Sequence, residues 1–63
     1  MPDWAATLTR LTAGEDLDTG EAAEVMAAVL DGAATPAQIG GLLIAYRMKP
    51  LTVPEMTGFV QAM

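Results

Sequence analysis

Nucleophilic catalysis needs a serine, cysteine, threonine or lysine beside a base, and this chain has no serine, cysteine or histidine. The usual triads are therefore excluded. Lys49 is the only lysine, and its place after a helix makes it a surface cation at a helix terminus rather than a catalytic amine. Glu21 and Glu24 could pair as general acid and base. They sit off the apolar stripe in the first turns of a helix, however, where they face solvent and complement the helix dipole. Glu15, Asp16 and Asp18 lack the twelve-residue ligand pattern of a calcium loop and read as an acidic turn. Without cysteine or histidine no thiolate or imidazole metal site can form. Gly40-Gly41 lies inside a helix, without the strand and lysine of a phosphate loop. Met26, Met48, Met56 and Met63 are core or interface filling rather than a cofactor box, while Trp4 and Tyr46 suit a core edge or a subunit contact. No self-contained active site is expected, and no catalytic, cofactor-binding or metal-binding residue is assigned.

The elements that carry these residues are four helices. The first starts after Asp3 and ends near Thr12, with Trp4, Leu8 and Leu11 on one face and Gly14 suited to the turn that follows. Asp18 with Glu21 opens the second in a capping-box pattern, Ala22, Val25, Met26, Val29 and Leu30 form its stripe, and Gly32 closes it. The third is announced by Thr35, Pro36 and Gln38 and runs to about Met48. Ile39, Leu42, Leu43 and Tyr46 make one of its stripes; Ala37, Gly41, Ile44 and Met48 make another. Two interior glycines cost about 1 kcal/mol each against alanine, so the third helix is expected to let another helix come close at Gly40-Gly41. Pro50 ends it. The fourth starts between Thr52 and Pro54, with a Thr52/Glu55 capping box, a Leu51/Met56 staple and a stripe of Met56, Phe59, Val60 and Met63. No alternating β-branched run supports a strand. The expected fold is all-α, a small four-helix bundle-like subdomain with short connections, spanning residues 1–63 as one unit.

Composition limits the partners. Eight acids against three bases give a net charge of −5, which disfavours nucleic acid and anionic membrane surfaces alike. The start of the chain lacks the basic and apolar regions of a secretory signal. The longest apolar run, inside residues 39–46, is far too short to span a bilayer, so a cytoplasmic location is the default. At 52% apolar residues the chain is not intrinsically disordered. A domain this small buries only about 60% of the surface its unfolded chain exposes. Part of its apolar surface is therefore expected to belong to an interface.

The order of segments carries a resemblance. Leu11-Thr-Ala-Gly-Glu-Asp-Leu17 precedes Asp18-Thr-Gly-Glu-Ala-Ala-Glu-Val-Met26. Then come Leu30-Asp-Gly-Ala-Ala-Thr-Pro-Ala-Gln-Ile39 and Gly41-Leu-Leu-Ile-Ala-Tyr-Arg-Met-Lys49, and lastly Thr52-Val-Pro-Glu-Met-Thr-Gly58 and Gln61-Ala-Met63. This succession resembles the N-terminal helical subdomain of the anthranilate phosphoribosyltransferase and nucleoside phosphorylase family, more closely its anthranilate phosphoribosyltransferase branch. That family usually has Lys-Gly-Glu-Thr before the fourth helix, where this chain has Lys49-Pro50-Leu51-Thr52.

The resemblance implies a larger α/β domain, absent from this chain, that binds phosphoribosyl pyrophosphate with magnesium and transfers the phosphoribosyl group to anthranilate. It implies no cofactor in these 63 residues, and a homodimer through the first and third helices. The interface residues would then be Trp4, Leu8, Leu11, Ala37, Gly40, Gly41, Ile44 and Met48. Two other readings remain open: the same subdomain of a pyrimidine nucleoside phosphorylase, or a free-standing helical module that binds a partner helix.

Overall fold

The computed structural model describes residues 2–63 as four helices: α1 (Trp4–Thr12), α2 (Thr19–Leu30), α3 (Pro36–Met48) and α4 (Val53–Ala62). The chain is all-α, as its periodicity requires, with no strand among the described residues. Each helix start is capped by the residue the sequence marks. Asp3 accepts from the Ala6 N–H, and reciprocal capping boxes join Asp18 with Glu21, Thr35 with Gln38, and Thr52 with Glu55. Gly14 and Gly32 take positive φ, 85° and 74°, where a side chain would be strained. Helix α4 begins at Val53, with Pro54 in its first turn. Proline's missing N–H costs nothing there, because the first-turn N–H groups have no partner within the helix.

Two helix pairs organise the bundle. Helices α2 and α4 share the most extensive contact, and α1 packs on α3 over a smaller one. The core joins Trp4 and Leu11 of α1, Leu17 of the first turn, Ala22 and Val25 of α2, and Leu42 and Ala45 of α3. Full burial of a leucine or valine contributes about 1.5–3 kcal/mol. The α2–α4 contact is close at one point. A Cβ on Gly58 would lie 2.3 Å from the Thr19 carbonyl oxygen, 2.7 Å from the Ala22 Cβ and 2.9 Å from the Ala23 nitrogen.

Several expectations need correction. Within the chain the closest approach at a helical glycine is at Gly58, not at the Gly40-Gly41 pair. A Cβ on Gly40 would meet nothing within 4 Å, and one on Gly41 would meet only the flexible end of Leu8, at 3.2 Å. The apolar stripe of α4 lies mostly outside: Met56, Val60 and Met63 are exposed, Phe59 is half-buried, and Glu55 and Gly58 face inward. The physical reason is steric. Alanines on α2 and a glycine on α4 let two backbones meet, and the contact selects the face with the least bulk. On α2 and α3, Leu30 and Leu43 likewise lie outside while Ala28 and Ala45 are buried.

Candidate functional site

The sequence marks the turn after α3 as a plain helix end, and the structure places the main polar cluster there. Lys49 is 5% exposed and Glu55 fully buried, so Lys49 is not the surface cation that its position suggests. The capping box of α4 draws Glu55 back toward the turn, and the Lys49 chain leaves α3 extended. Their charged ends therefore meet under the first turn of the bundle. Glu55 Oε1 accepts from Lys49 Nζ at 2.7 Å, and from the Thr52 N–H and hydroxyl, both at 2.9 Å. Glu55 Oε2 accepts from the Leu17 N–H and the Tyr46 hydroxyl, also at 2.9 Å. Lys49 Nζ donates in addition to the Pro50 carbonyl at 2.8 Å and lies 3.0 Å from Asp16 Oδ1. Its ammonium sits 5.1 Å from the centre of the Tyr46 ring, and Phe59 meets that ring edge-on at 5.7 Å.

Electrostatics fix the protonation state of this cluster. Burial would push the Glu55 carboxyl up, but hydrogen bonds from Leu17, Lys49 and Thr52 outweigh it and hold the group at about 2. Burial also pulls Lys49 down, and is overcome by its bonds to Glu55 and Asp16, so its pKa is raised. Desolvation, followed by the hydrogen bond to ionised Glu55, pushes the Tyr46 hydroxyl well above its ordinary value. Near neutral pH the cluster holds an anion, a cation and a neutral phenol, all engaged. A carboxylate with five donors has no lone pair to spare for substrate, and a protonated amine is no nucleophile. The arrangement fixes the turn between α1 and α2 against the turn between α3 and α4; it does not transfer protons.

A second ion pair was also not expected. Arg10 of α1 donates to Glu21 of α2 and to the Asp16 carbonyl, the latter at 3.0 Å. Its hydrogen bond with Glu21, helped by their mutual attraction, raises Arg10 and lowers Glu21. Glu21 is thus not a free solvent-facing carboxylate, and it does not act with the exposed Glu24. No group of three or more acidic, histidine or cysteine side chains converges on a metal position among the described residues. A shallow depression of about 280 Å³ is lined by Pro2, Glu24, Ala27, Ala28, Asp31 and Ala33. Its only charges are carboxylates, which repel a phosphate.

The residues assigned to an interface fall into three groups. Trp4 and Leu11 are buried in the chain's own core, at 8% and 1% exposure, so neither has a surface to offer a partner. Leu8, Gly40 and Gly41 are half-buried, with Leu8 seated against Gly41. Ala37, Ile44 and Met48 are exposed on α3. The buried cluster was legible only in part. The Thr52-x-x-Glu55 pattern marks Glu55 as a cap, but nothing local shows that its other donors come from Leu17, Lys49 and Tyr46. Lys49 and Thr52, the positions where the chain agrees with the family pattern, hold Glu55; Pro50 and Leu51, where it departs, are exposed.

Comparison with known proteins agrees with this architecture. Residues 5–63 match the helical bundle domain of the glycosyl transferase family. The chain is 54% identical to anthranilate phosphoribosyltransferase of Teredinibacter turnerae over 56 residues, covering 89% of this chain and 16% of that protein. The corresponding protein of Desulforudis audaxviator is 52% identical over 56 residues, again 89% of this chain and 16% of the relative. That of Mycobacterium sp. strain KMS is 44% identical over 62 residues, 98% of this chain and 17% of the relative. The chain thus spans about a sixth of the length of the curated relatives it matches. No solved structure matches it.

Proposed function

We propose that this chain, which belongs to the glycosyl transferase family as its helical bundle domain, is the N-terminal helical subdomain of an anthranilate phosphoribosyltransferase-like enzyme. The observation that carries this reading is the similarity to relatives of that name across nearly the whole chain. In such an enzyme anthranilate attacks the anomeric carbon of phosphoribosyl pyrophosphate. Pyrophosphate leaves and phosphoribosylanthranilate forms, a step of tryptophan biosynthesis. The chemistry falls to an α/β domain outside these residues, and the helical unit is inert alone. It supplies one wall of the cleft and a subunit contact, in a cytoplasmic enzyme.

The chain's own residues suit that division. The Glu55–Lys49–Tyr46 cluster is closed to substrate and rigidifies two turns at one end of the bundle. The magnesium implied for the complete enzyme does not fit here. Glu55 and Glu21 are bound to cations, and the remaining acids do not converge. No step is assigned through it. The subunit contact is placed on the outer face of α3, at Ile44 and Met48, which are 60% and 70% exposed.

The test is to add the α/β domain of a close relative, by fusion or by mixing, and follow loss of phosphoribosyl pyrophosphate that depends on anthranilate. Activity restored by this chain supports the reading. A correctly folded partner domain that gains nothing from it rejects the reading. Restored activity with a pyrimidine nucleoside and phosphate, but not with anthranilate, would move the assignment to the nucleoside phosphorylase branch.

A further inference from the structure

Among the described residues, every polar bond between helices lies at one end of the bundle, where the α1–α2 and α3–α4 turns meet. Arg10, near the C-terminal end of α1, donates to Glu21 and to the Asp16 carbonyl, and Glu55 gathers Leu17, Tyr46 and Lys49. At the other end, around the start of α1 and the 31–35 loop, the hydrogen bonds are all local, as in the Asp3 cap and the Thr35–Gln38 box. Helix α1 packs on α3, but between α1 and α2 there is a crevice in place of an extensive helix contact. Two depressions of about 280 and 160 Å³ lie along it, with Pro2, Asp3 and Ala6 on one side and Glu24, Ala27 and Asp31 on the other. Trp4 sits at this open end and carries a buried polar atom without a hydrogen-bond partner, its indole Nε1. The residue is 8% exposed, so the closed form keeps out the water that would satisfy this donor.

We propose that α1 is a hinged arm: pinned to α2 at Arg10, it swings at its N-terminal end and admits water to the Trp4 indole N–H while the rest of the bundle stays folded. Arg10 and Trp4 are six residues apart, about 9 Å along a helix. A swing of roughly 20° about the Arg10 end then moves Trp4 by about 3 Å, the width of a water molecule. Three features lower the cost of this motion. The entering water gives Nε1 the partner it lacks in the closed form. Opposite charges hold the pinned end, Arg10 against Glu21, whereas the carboxylates of Asp3 and Glu24 line one depression further along the two helices and repel each other. The contact of α1 with α3 includes a leucine tip on Gly41, which slides where two backbones in contact could not. The α2–α4 contact at Gly58 has no such freedom. The motion does not depend on which enzyme the chain belongs to.

The test is hydrogen exchange of the Trp4 indole N–H, followed by NMR beside the Val25 amide over a series of low, non-denaturing urea concentrations. Trp4 is the only tryptophan, so its indole signal needs no assignment. Each rate is taken relative to that of the freely exposed group. A small swing uncovers little surface, so the indole is expected to exchange roughly ten-fold faster than Val25 and with almost no dependence on urea. The Val25 amide, inside α2 and buried in the core, waits for unfolding and should speed up with each addition of urea. Glu24→Gln changes an exposed residue and removes the repulsion at the free end. It should slow the indole roughly two-fold, with the Val25 amide unchanged as the control for overall stability. One relative rate and one urea slope for both protons would mean that water reaches Trp4 only on unfolding, and would overturn the proposal. An indole rate that Glu24→Gln leaves unchanged or raises would overturn it too.

Discussion

The two helix pairs of this bundle are held by different means. Helices α2 and α4 meet backbone to backbone at Gly58, beside Ala22 and Ala23, and a buried ion pair with five hydrogen bonds to one carboxylate closes their junction. Helices α1 and α3 meet through side chains, with a leucine tip against Gly41. The other ion pair, Arg10 of α1 with Glu21 of α2, is part-exposed. One contact has almost no room to adjust and the other can. A glycine matters where small residues face it from the other side, and an ion pair matters where water cannot replace either partner.

The comparison can be broken most sharply at Gly58. Gly58→Val would drive a side chain into the Thr19 carbonyl and the Ala23 backbone, which cannot move aside as a rotamer would. Overpacking typically costs about 1–3 kcal/mol and more against rigid backbone, so loss of the cooperative thermal transition is expected. A folded variant with an unchanged midpoint would mean that α2 and α4 are not in backbone contact. Glu55→Gln comes next. It leaves the buried Lys49 with only the part-exposed Asp16 as a counter-ion, a loss approaching the roughly 3–5 kcal/mol of a fully broken buried pair, read from chemical denaturation. Arg10→Gln should shift the midpoint far less, because solvent already screens that pair, and added salt should erase the difference.

Acid titration sharpens the same contrast. Glu55 falls from an ordinary value of 4.5 to about 2 in the folded chain. Its contribution is complete above the unfolded value and drains away as pH falls from 4.5 toward 2, so stability should rise with pH across that window. Glu21, also lowered, acts with the same sign. In Glu55→Gln the slope of stability against pH should become markedly shallower; an unchanged slope would place the acid sensitivity elsewhere. The smallest effect belongs to the glycine that faces nothing. Gly40→Ala should raise stability by about 1 kcal/mol through helix propensity alone, whereas at Gly41 the same gain is offset by the 3.2 Å approach to Leu8.

Local signals in the sequence located every helix and all four caps, because Asp3, Asp18, Thr35 and Thr52 act within three residues of themselves. Which face each helix buries was less legible. Apolar periodicity marks Met56, Val60 and Met63 as one stripe of α4 without saying which way it faces, and the structure turns it out because Gly58 opposite Ala22 allows a closer fit. The Lys49–Glu55 pair was missed for a related reason. Its partners, Leu17 and Tyr46, lie 38 and 9 residues from Glu55 along the chain, and no local pattern encodes a contact between two turns. Two apolar faces on the third helix are consistent with the exposure of Ile44 and Met48, whereas Trp4 and Leu11 of α1, assigned to the same interface, are claimed by the core.

Sedimentation equilibrium of the unmodified chain over a wide concentration series tests the idea that its outer apolar faces are meant to be covered. The account predicts an apparent mass that starts near 6.6 kDa and climbs toward twice that value as concentration rises, with helicity constant throughout. A folded chain that holds its starting mass at every concentration would contradict it.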